Sequence, residues 1–117
     1  MDENLKLQKE KLIKRLVSTS KAIISNQIGL PLGVMKMSSI ITWLNNIEPI
    51  TNINLEIISQ YTSCTSTYFL GPERLSCSKD FLIRQDKDLD KINSRFKEKI
   101  LAKCFEIIEL FDNSRKA

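Results

Sequence analysis

Histidine does not occur in this sequence of 117 residues, and its absence excludes several classes of catalytic and metal site. Histidine is the commonest general base, a frequent metal ligand and the side chain that titrates nearest to neutral pH. Serine–histidine and cysteine–histidine nucleophile systems, HExxH zinc sites and Cys2His2 fingers are therefore excluded together. No apolar run is long enough to span a bilayer either, so the sequence predicts no membrane-spanning segment.

Cysteine is scarce, and its three copies form no recognisable pattern. Cys64, Cys77 and Cys104 are widely spaced without a CxxC pair, and three thiols without histidine make a poor zinc site. An odd number of cysteines is typical of a reducing compartment, and the charged N-terminal segment has no apolar signal region. We therefore expect a cytoplasmic protein with buried or half-buried free thiols, no metal and no cofactor.

Glycine and proline occur three times each and divide the chain into four stretches with apolar residues at helical spacing. The stretches cover about 3–26, 31–46, 52–61 and 79–112. The third could instead be a strand, because Ile50 to Ile58 is rich in isoleucine, but a single strand would lack a partner and a helix is favoured. The sequence thus predicts an all-α fold, in which residues 1–117 form one domain, a bundle of four main helices with antiparallel neighbours.

Two places stand out from this helical pattern. Residues 62–77 form a long connection without periodicity before the last helix, and unstructured connections of this length in compact domains are often functional. Near the start of the second helix, Gly33 is predicted to be a close-packing position, where any Cβ would hold the first helix away. The predicted cap of the third helix is Thr51 or Asn52, and that of the fourth is Ser78.

The sequence contains no motif that indicates catalysis or metal binding. Asp86, Asp88 and Asp90 alternate along the predicted last helix, where every second position is rotated by about 200°, so their carboxylates cannot converge on one cation. The crowded hydroxyls of 18–20 and 62–67 have no identifiable base and no SxxK motif. We therefore expect a binding or structural protein, not an enzyme, without a small-molecule substrate. The aromatic residues expected to be core and loop anchors are Trp43, Tyr61, Tyr68 and Phe69.

The net charge of +4 makes nucleic acid a partner to consider, but the distribution of charge weakens that idea. Basic and acidic side chains are mixed near both ends, and the middle of the chain is nearly neutral. On the last helix we expect ion pairs such as Asp80–Arg84 to form a solvated face rather than a track for phosphates. A nucleic-acid-binding regulator that uses the basic faces of the first and last helices remains the alternative function. The basic stripe of the last helix consists of Arg84, Lys87, Lys91, Arg95 and Lys99.

Three segments together resemble a family of small, all-helical bacterial proteins of unknown function. The segments are VSTSKAIISNQIGLPLGVMKMSSIITWL (17–44), TSTYFLGPERL (65–75) and SKDFLIRQDKDLDKINSRFKEKILAKCFEII (78–108). The residues that match the family pattern in the second and third segments are Thr65, Leu70, Gly71, Arg74, Asp86 and Cys104. The family usually has acidic residues around its threonine, whereas Cys64, Ser66 and Thr67 stand here, so no site built on those carboxylates is transferred.

Members of this family resemble immunity proteins of contact-dependent growth inhibition systems. The resemblance implies an inhibitor that binds one cognate toxin C-terminal domain, commonly a nuclease, in a 1:1 complex and covers its active site. Inhibitors of basic nucleases are expected to be acidic, whereas this chain is basic. Either the toxin domain is acidic, or the binding surface differs in sign from the whole chain. The candidate partner-binding residues are Glu48, Glu56, Tyr68, Glu73, Arg74, Asp86 and Asp90.

Overall fold

The helices occur in the order that the sequence predicts. The computed structural model describes residues 2–112, so residues 1 and 113–117 of the predicted domain lie outside the described range. A short 3-10 helix, Pro72–Ser76, lies in the connection before the last α-helix. The helices are α1 (Glu3–Ile24), α2 (Leu30–Ile47), α3 (Glu56–Thr65) and α4 (Lys79–Phe111). Residues 2–112 contain no strand, which confirms the all-α prediction and removes the strand alternative for 50–58.

Three of the helix ends have clear local causes. The Ser78 hydroxyl accepts a hydrogen bond from the Phe81 N–H at 3.1 Å, so the predicted cap of α4 is confirmed. Pro31 lies in the first turn of α2, where its missing N–H leaves no helical hydrogen bond unmade. α1 ends at Ile24 rather than at residue 26, because Asn26 has a φ of 63° and therefore cannot continue a right-handed helix.

The third helix is shifted from its predicted position of 52–61, and the predicted cap is wrong. The Asn54 side-chain oxygen accepts from the Glu56 N–H at 2.9 Å, so the helix begins four residues later than predicted. At the other end, the hydroxyls of Thr62 and Thr65 donate to the carbonyls four residues earlier, at 2.8 and 3.0 Å. The helix therefore continues through a run of hydroxyl residues, and the connection comprises residues 66–78.

The four helices pack as antiparallel neighbours around one core. α1 contacts α2 and α4, and α3 contacts the same two helices. The antiparallel sense of α1 and α2 is shown by Gly33 beside Ile23 and by Trp43 beside Arg15. The buried core residues are Leu16, Val17, Ile23, Val34, Met37, Ile40, Leu44, Ile58, Tyr61, Phe96, Ile100, Cys104, Ile107 and Ile108.

The close-packing role of Gly33 is confirmed. A Cβ at this position would lie 2.7 Å from Cδ1 of Ile23 and would also clash with Cγ1 of the same side chain. Ile23 is itself buried in the core and has little room to move. The glycine therefore sets how closely α2 approaches α1.

The three cysteines are free thiols in three different environments. Cys104 is buried in the core and Cys77 is half-buried, but Cys64 is exposed, so the expectation of burial is wrong for that residue. The reason is that α3 buries the face of Ile58, Tyr61 and Thr65, which Cys64 does not share. Burial raises the pKa of the Cys104 thiol to about 11, since the thiolate is poorly solvated inside the protein.

Most of the core residues of α4 lie in its second half. At 1.5 Å per residue its 33 residues span about 50 Å, which matches the longest dimension of the molecule, 50 Å. The buried residues of the core cluster on α4 begin at Phe96, with Ile92 packed against the cluster, whereas Gln85 and Asp86 nearer the start of the helix hold the connection. We call residues 66–90, the connection with the first twelve residues of α4, the arm.

Candidate protein-binding surface

The connection is attached to α4 through the backbone of Phe69. Gln85 is one of the few buried polar side chains, and its Oε1 accepts from the Phe69 N–H at 2.9 Å. Its Nε2 donates to the Phe69 carbonyl, also at 2.9 Å. One amide thus satisfies both backbone groups of a single residue, which fixes the position of Phe69 on the helix.

A second attachment is an ion pair between Arg74 and Asp86, which are twelve residues apart in sequence. Arg74 donates to both carboxylate oxygens of Asp86, at 2.9 and 3.0 Å, and its Nη1 also donates to the Phe69 carbonyl at 3.3 Å. The two hydrogen bonds form the fork geometry in which guanidinium and carboxylate pair best. The hydrogen bond from Arg74 lowers the pKa of Asp86, and the hydrogen bond to Asp86 raises the pKa of Arg74.

Glu73 closes the turn that precedes the 3-10 helix. Its Oε1 accepts from the backbone N–H groups of Gly71 and Leu70, at 3.2 and 3.3 Å. Hydrogen bonds from its own backbone N–H and from that of Gly71 lower the pKa of this carboxyl group. The carboxylate therefore stabilises the turn in its ionised form.

This fixed backbone presents large apolar side chains to solvent. Phe69 and Phe81 are both exposed, and their rings lie 5.8 Å apart with an angle of 57° between the planes. Leu75, in the 3-10 helix, is 91% exposed. Aromatic and aliphatic side chains held in the open on an ordered backbone are typical of protein-binding sites. We call Phe69, Leu75 and Phe81 the arm surface.

Four of the seven predicted partner-binding residues come together around the arm surface. Glu73, Arg74 and Asp86 make the contacts described above, and Tyr68 is half-buried next to Phe69. Asp90 is exposed one turn along α4 from Asp86.

The remaining two predicted residues lie elsewhere. Glu48 follows the last residue of α2 and pairs with Lys9 at 3.3 Å. Glu56 is exposed in the first turn of α3, at the opposite end of that helix from the connection.

Sequence reasoning missed the residues that define this surface. Gln85 lies three residues after Leu82 and four before Leu89, which is the helical spacing of the buried side of α4. A polar residue on the apolar side of a helix predicts a buried side chain that makes a hydrogen bond. The exposure of Phe69, Leu75 and Phe81 had no such signal. The expectation that Trp43 is a core anchor is wrong, because its side chain is 49% exposed.

Other sequence patterns do not form sites in the described part of the chain. No group of three or more cysteine, aspartate or glutamate side chains within residues 2–112 is arranged to hold a metal ion. The expected ion pair between Asp80 and Arg84 is not made, and Arg74–Asp86 is the pair that forms on this half of α4. No helix in the described range is both long and apolar enough to cross a membrane.

No protein-family model, curated protein or solved structure matches this chain. The physical properties of the arm and of the other exposed surfaces are the remaining guide to function.

Replacing Arg74 with alanine should loosen the connection without unfolding the helices. The variant loses the fork to Asp86 and the contact with the Phe69 carbonyl, so amide hydrogen exchange of residues 66–78 should become several-fold faster, while helical circular dichroism stays unchanged. Because the pKa of Asp86 is lowered, wild-type protection should persist at pH values near the ordinary aspartate pKa of about 3.9 and be lost below it. Equal exchange in the two proteins at neutral pH would show that the pair does not hold the connection.

Proposed function

We propose that the protein is an immunity-type inhibitor, which binds a cognate toxin domain through the arm surface and keeps substrate from the toxin's active site. The observation that carries this proposal is that two separate attachments hold the connection against α4, and that Phe69 and Leu75 of the connection and Phe81 of α4 are exposed there. Such a surface is ready to bind, because little conformational entropy remains to be lost on association. The resemblance of the quoted segments to a helical family whose members resemble immunity proteins agrees with the same function.

The arm surface has the chemistry of an interaction hot spot. Fully burying an exposed Phe or Leu side chain contributes about 1.5–3 kcal/mol. Leu75 is 91% exposed and can gain nearly all of this against a partner, whereas Phe69 and Phe81 are 40% and 38% exposed and can gain less than half. Three such residues at the centre of an interface of about 800 Å² per partner would supply much of the binding energy of a specific complex. The charged side chains of Glu73, Arg74 and Asp86 would then form part of the polar rim.

The charge of the arm also supports a nuclease as the target. Residues 66–90 carry four basic and five acidic side chains, a net charge of −1, whereas the whole chain has a net charge of +4. The arm therefore differs in sign from the rest of the protein. A basic toxin domain would meet less repulsion there than along α1, which carries six basic and two acidic side chains.

Co-expression with the toxin domain encoded by the neighbouring gene tests this proposal. Wild-type protein should restore growth and co-purify with the toxin domain, while Leu75→Asp should lose both properties, because a carboxylate replaces an almost fully exposed apolar contact. The matched control is Leu7→Asp on α1, since Leu7 is 55% exposed and lies outside the arm. Failure of the wild type to protect, or equal protection by both variants, would contradict the proposal.

Nucleic-acid binding by the basic faces of α1 and α4 remains the alternative, with less support. Three lysines of these helices are engaged by carboxylates in the ion pairs Lys9–Glu48, Lys21–Asp112 and Lys103–Glu106. Fewer cations of α1 are then available for phosphates, although none of these pairs involves the basic stripe of α4. A gel shift without salt-sensitive binding would remove this alternative.

A further inference from the structure

The outer side of the α1–α2 pair carries a second exposed aromatic centre. The Arg15 guanidinium carbon lies 5.6 Å from the centroid of the Trp43 ring, a cation–π distance. Trp43 is half exposed although it lies one turn from buried Ile40 and next to buried Leu44. Tryptophan and arginine are the residue types most enriched at binding hot spots, so an exposed pair of them deserves a functional explanation.

Two grooves flank this pair, and both are lined by Arg15 and Trp43. One has a volume of about 510 Å³, and the other has a volume of about 540 Å³. The tryptophan ring is thus shared by two shallow grooves, and each is large enough for side chains of a partner. The first is lined by apolar Leu12 and Ile47, and the second has Met35 and Ile40 among mostly polar residues.

The charges around the grooves have one sign. Lys11 lines the first groove, Lys36 lines the second, and Arg15 lines both. No aspartate or glutamate lines either groove, and none of the three cations forms an ion pair within residues 2–112. This contrasts with the mixed charges of the arm and with Lys9, which is neutralised by Glu48.

We propose that these grooves bind an acidic amphipathic segment of a second protein partner. Apolar side chains of the segment enter the two grooves that share Trp43, and its carboxylates meet Lys11, Arg15 and Lys36. This interaction is separate from the arm surface and does not rest on the proposed inhibitor function. The apolar residues that line the grooves favour a peptide over a nucleic acid, because three cations alone give phosphate binding that is weak at physiological salt.

Trp43 is the single tryptophan of the chain, so its fluorescence reports directly on the grooves. The probe is a synthetic amphipathic peptide of about five helical turns with leucine and phenylalanine on one face and glutamate on the other. Adding it to the wild-type protein should shift the Trp43 emission to the blue in a saturable manner. Replacing its glutamates with lysine should abolish the shift. The double variant Arg15→Glu with Lys36→Glu should bind the acidic peptide at least about tenfold more weakly.

Several results would overturn this inference. They are an unchanged emission, equal shifts with the acidic and the lysine peptide, or displacement of the acidic peptide by a DNA duplex in a salt-sensitive manner. A blue shift that depends on protein concentration without peptide would identify a second copy of the chain as the occupant. Leu75→Asp should bind the peptide like wild type, and the Arg15→Glu, Lys36→Glu variant should still neutralise the toxin. The two proposals can therefore fail independently.

Discussion

Replacing Tyr61 with alanine should lower the free energy of unfolding by about 3–5 kcal/mol, as expected for the removal of a large aromatic side chain from a core. Tyr61 is 1% exposed, and its ring meets that of Phe96 edge to face with 5.7 Å between centroids. Its hydroxyl donates to Oδ1 of Asn93 at 2.6 Å, which joins α3 to α4. Because small domains have a total stability of about 5–15 kcal/mol, this loss is a large part of the whole.

Tyr61→Phe is the matched control, because it keeps the ring and removes only the hydroxyl. We expect a loss of about 1 kcal/mol, the net value of one hydrogen bond. Urea denaturation followed by circular dichroism measures both variants. Equal losses for alanine and phenylalanine would mean that the hydrogen bond to Asn93, and not the packing of the ring, joins the two helices.

The stability of the wild type and that of Tyr61→Phe should also respond differently to alkaline pH. Burial raises the pKa of Tyr61 above its ordinary value of about 10, so the folded state favours the protonated phenol. The resulting stabilisation is complete below pH 10 and is lost as the pH rises towards the higher pKa of the folded protein. Tyr61→Phe lacks this group, so its stability should fall less steeply above pH 10 than that of the wild type.

Substituting serine at Gly33 should be strongly unfavourable, whereas the same substitution at Gly29 should be neutral or favourable. The Cβ at Gly33 would clash with buried Ile23, and overpacking of this kind costs about 1–3 kcal/mol. Gly29 precedes the first residue of α2 with a φ of −64°, and a Cβ there would meet only Pro31, at 3.9 Å. A serine hydroxyl at that capping position can accept a hydrogen bond from the first turn of the helix.

Thermal or urea unfolding of the two serine variants measures the contrast. A destabilised Gly33→Ser protein beside an unchanged or stabilised Gly29→Ser protein is the expected outcome. Similar stabilities would mean that α1 and α2 can separate at low cost, contrary to the tight contact between Gly33 and Ile23.

The long helices were predictable because their apolar residues repeat over many turns. α1, α2 and α4 differ from the predicted ranges by two residues at most, and the deviation in α1 has its cause in the backbone of Asn26. α3 has only ten residues, so the periodic signal is short, and individual side chains decide where it begins and ends. Asn54 fixes its first turn, and the hydroxyl of Thr65 helps to extend its last.

The candidate sites were less predictable, because they depend on contacts between residues distant in sequence. Gln85 reaches Phe69 sixteen residues earlier, and no local pattern specifies that pairing. Arg74 and Asp86 were both recognised as candidates, but their direct contact was not. The exposure of Trp43 depends on how α1 and α2 pack, since the tryptophan stands at the edge of the apolar side of α2.

The division of α4 into two halves has an evolutionary consequence. The arm is held by Gln85, Arg74 and Asp86, whereas the buried residues of the core cluster on the helix begin at Phe96. Leu75 takes part in neither set of anchoring side-chain contacts and is 91% exposed, so it can be exchanged with little cost to folding. Under the proposed function, a lineage of such proteins can acquire new specificity by changing exposed arm residues while it keeps the same scaffold.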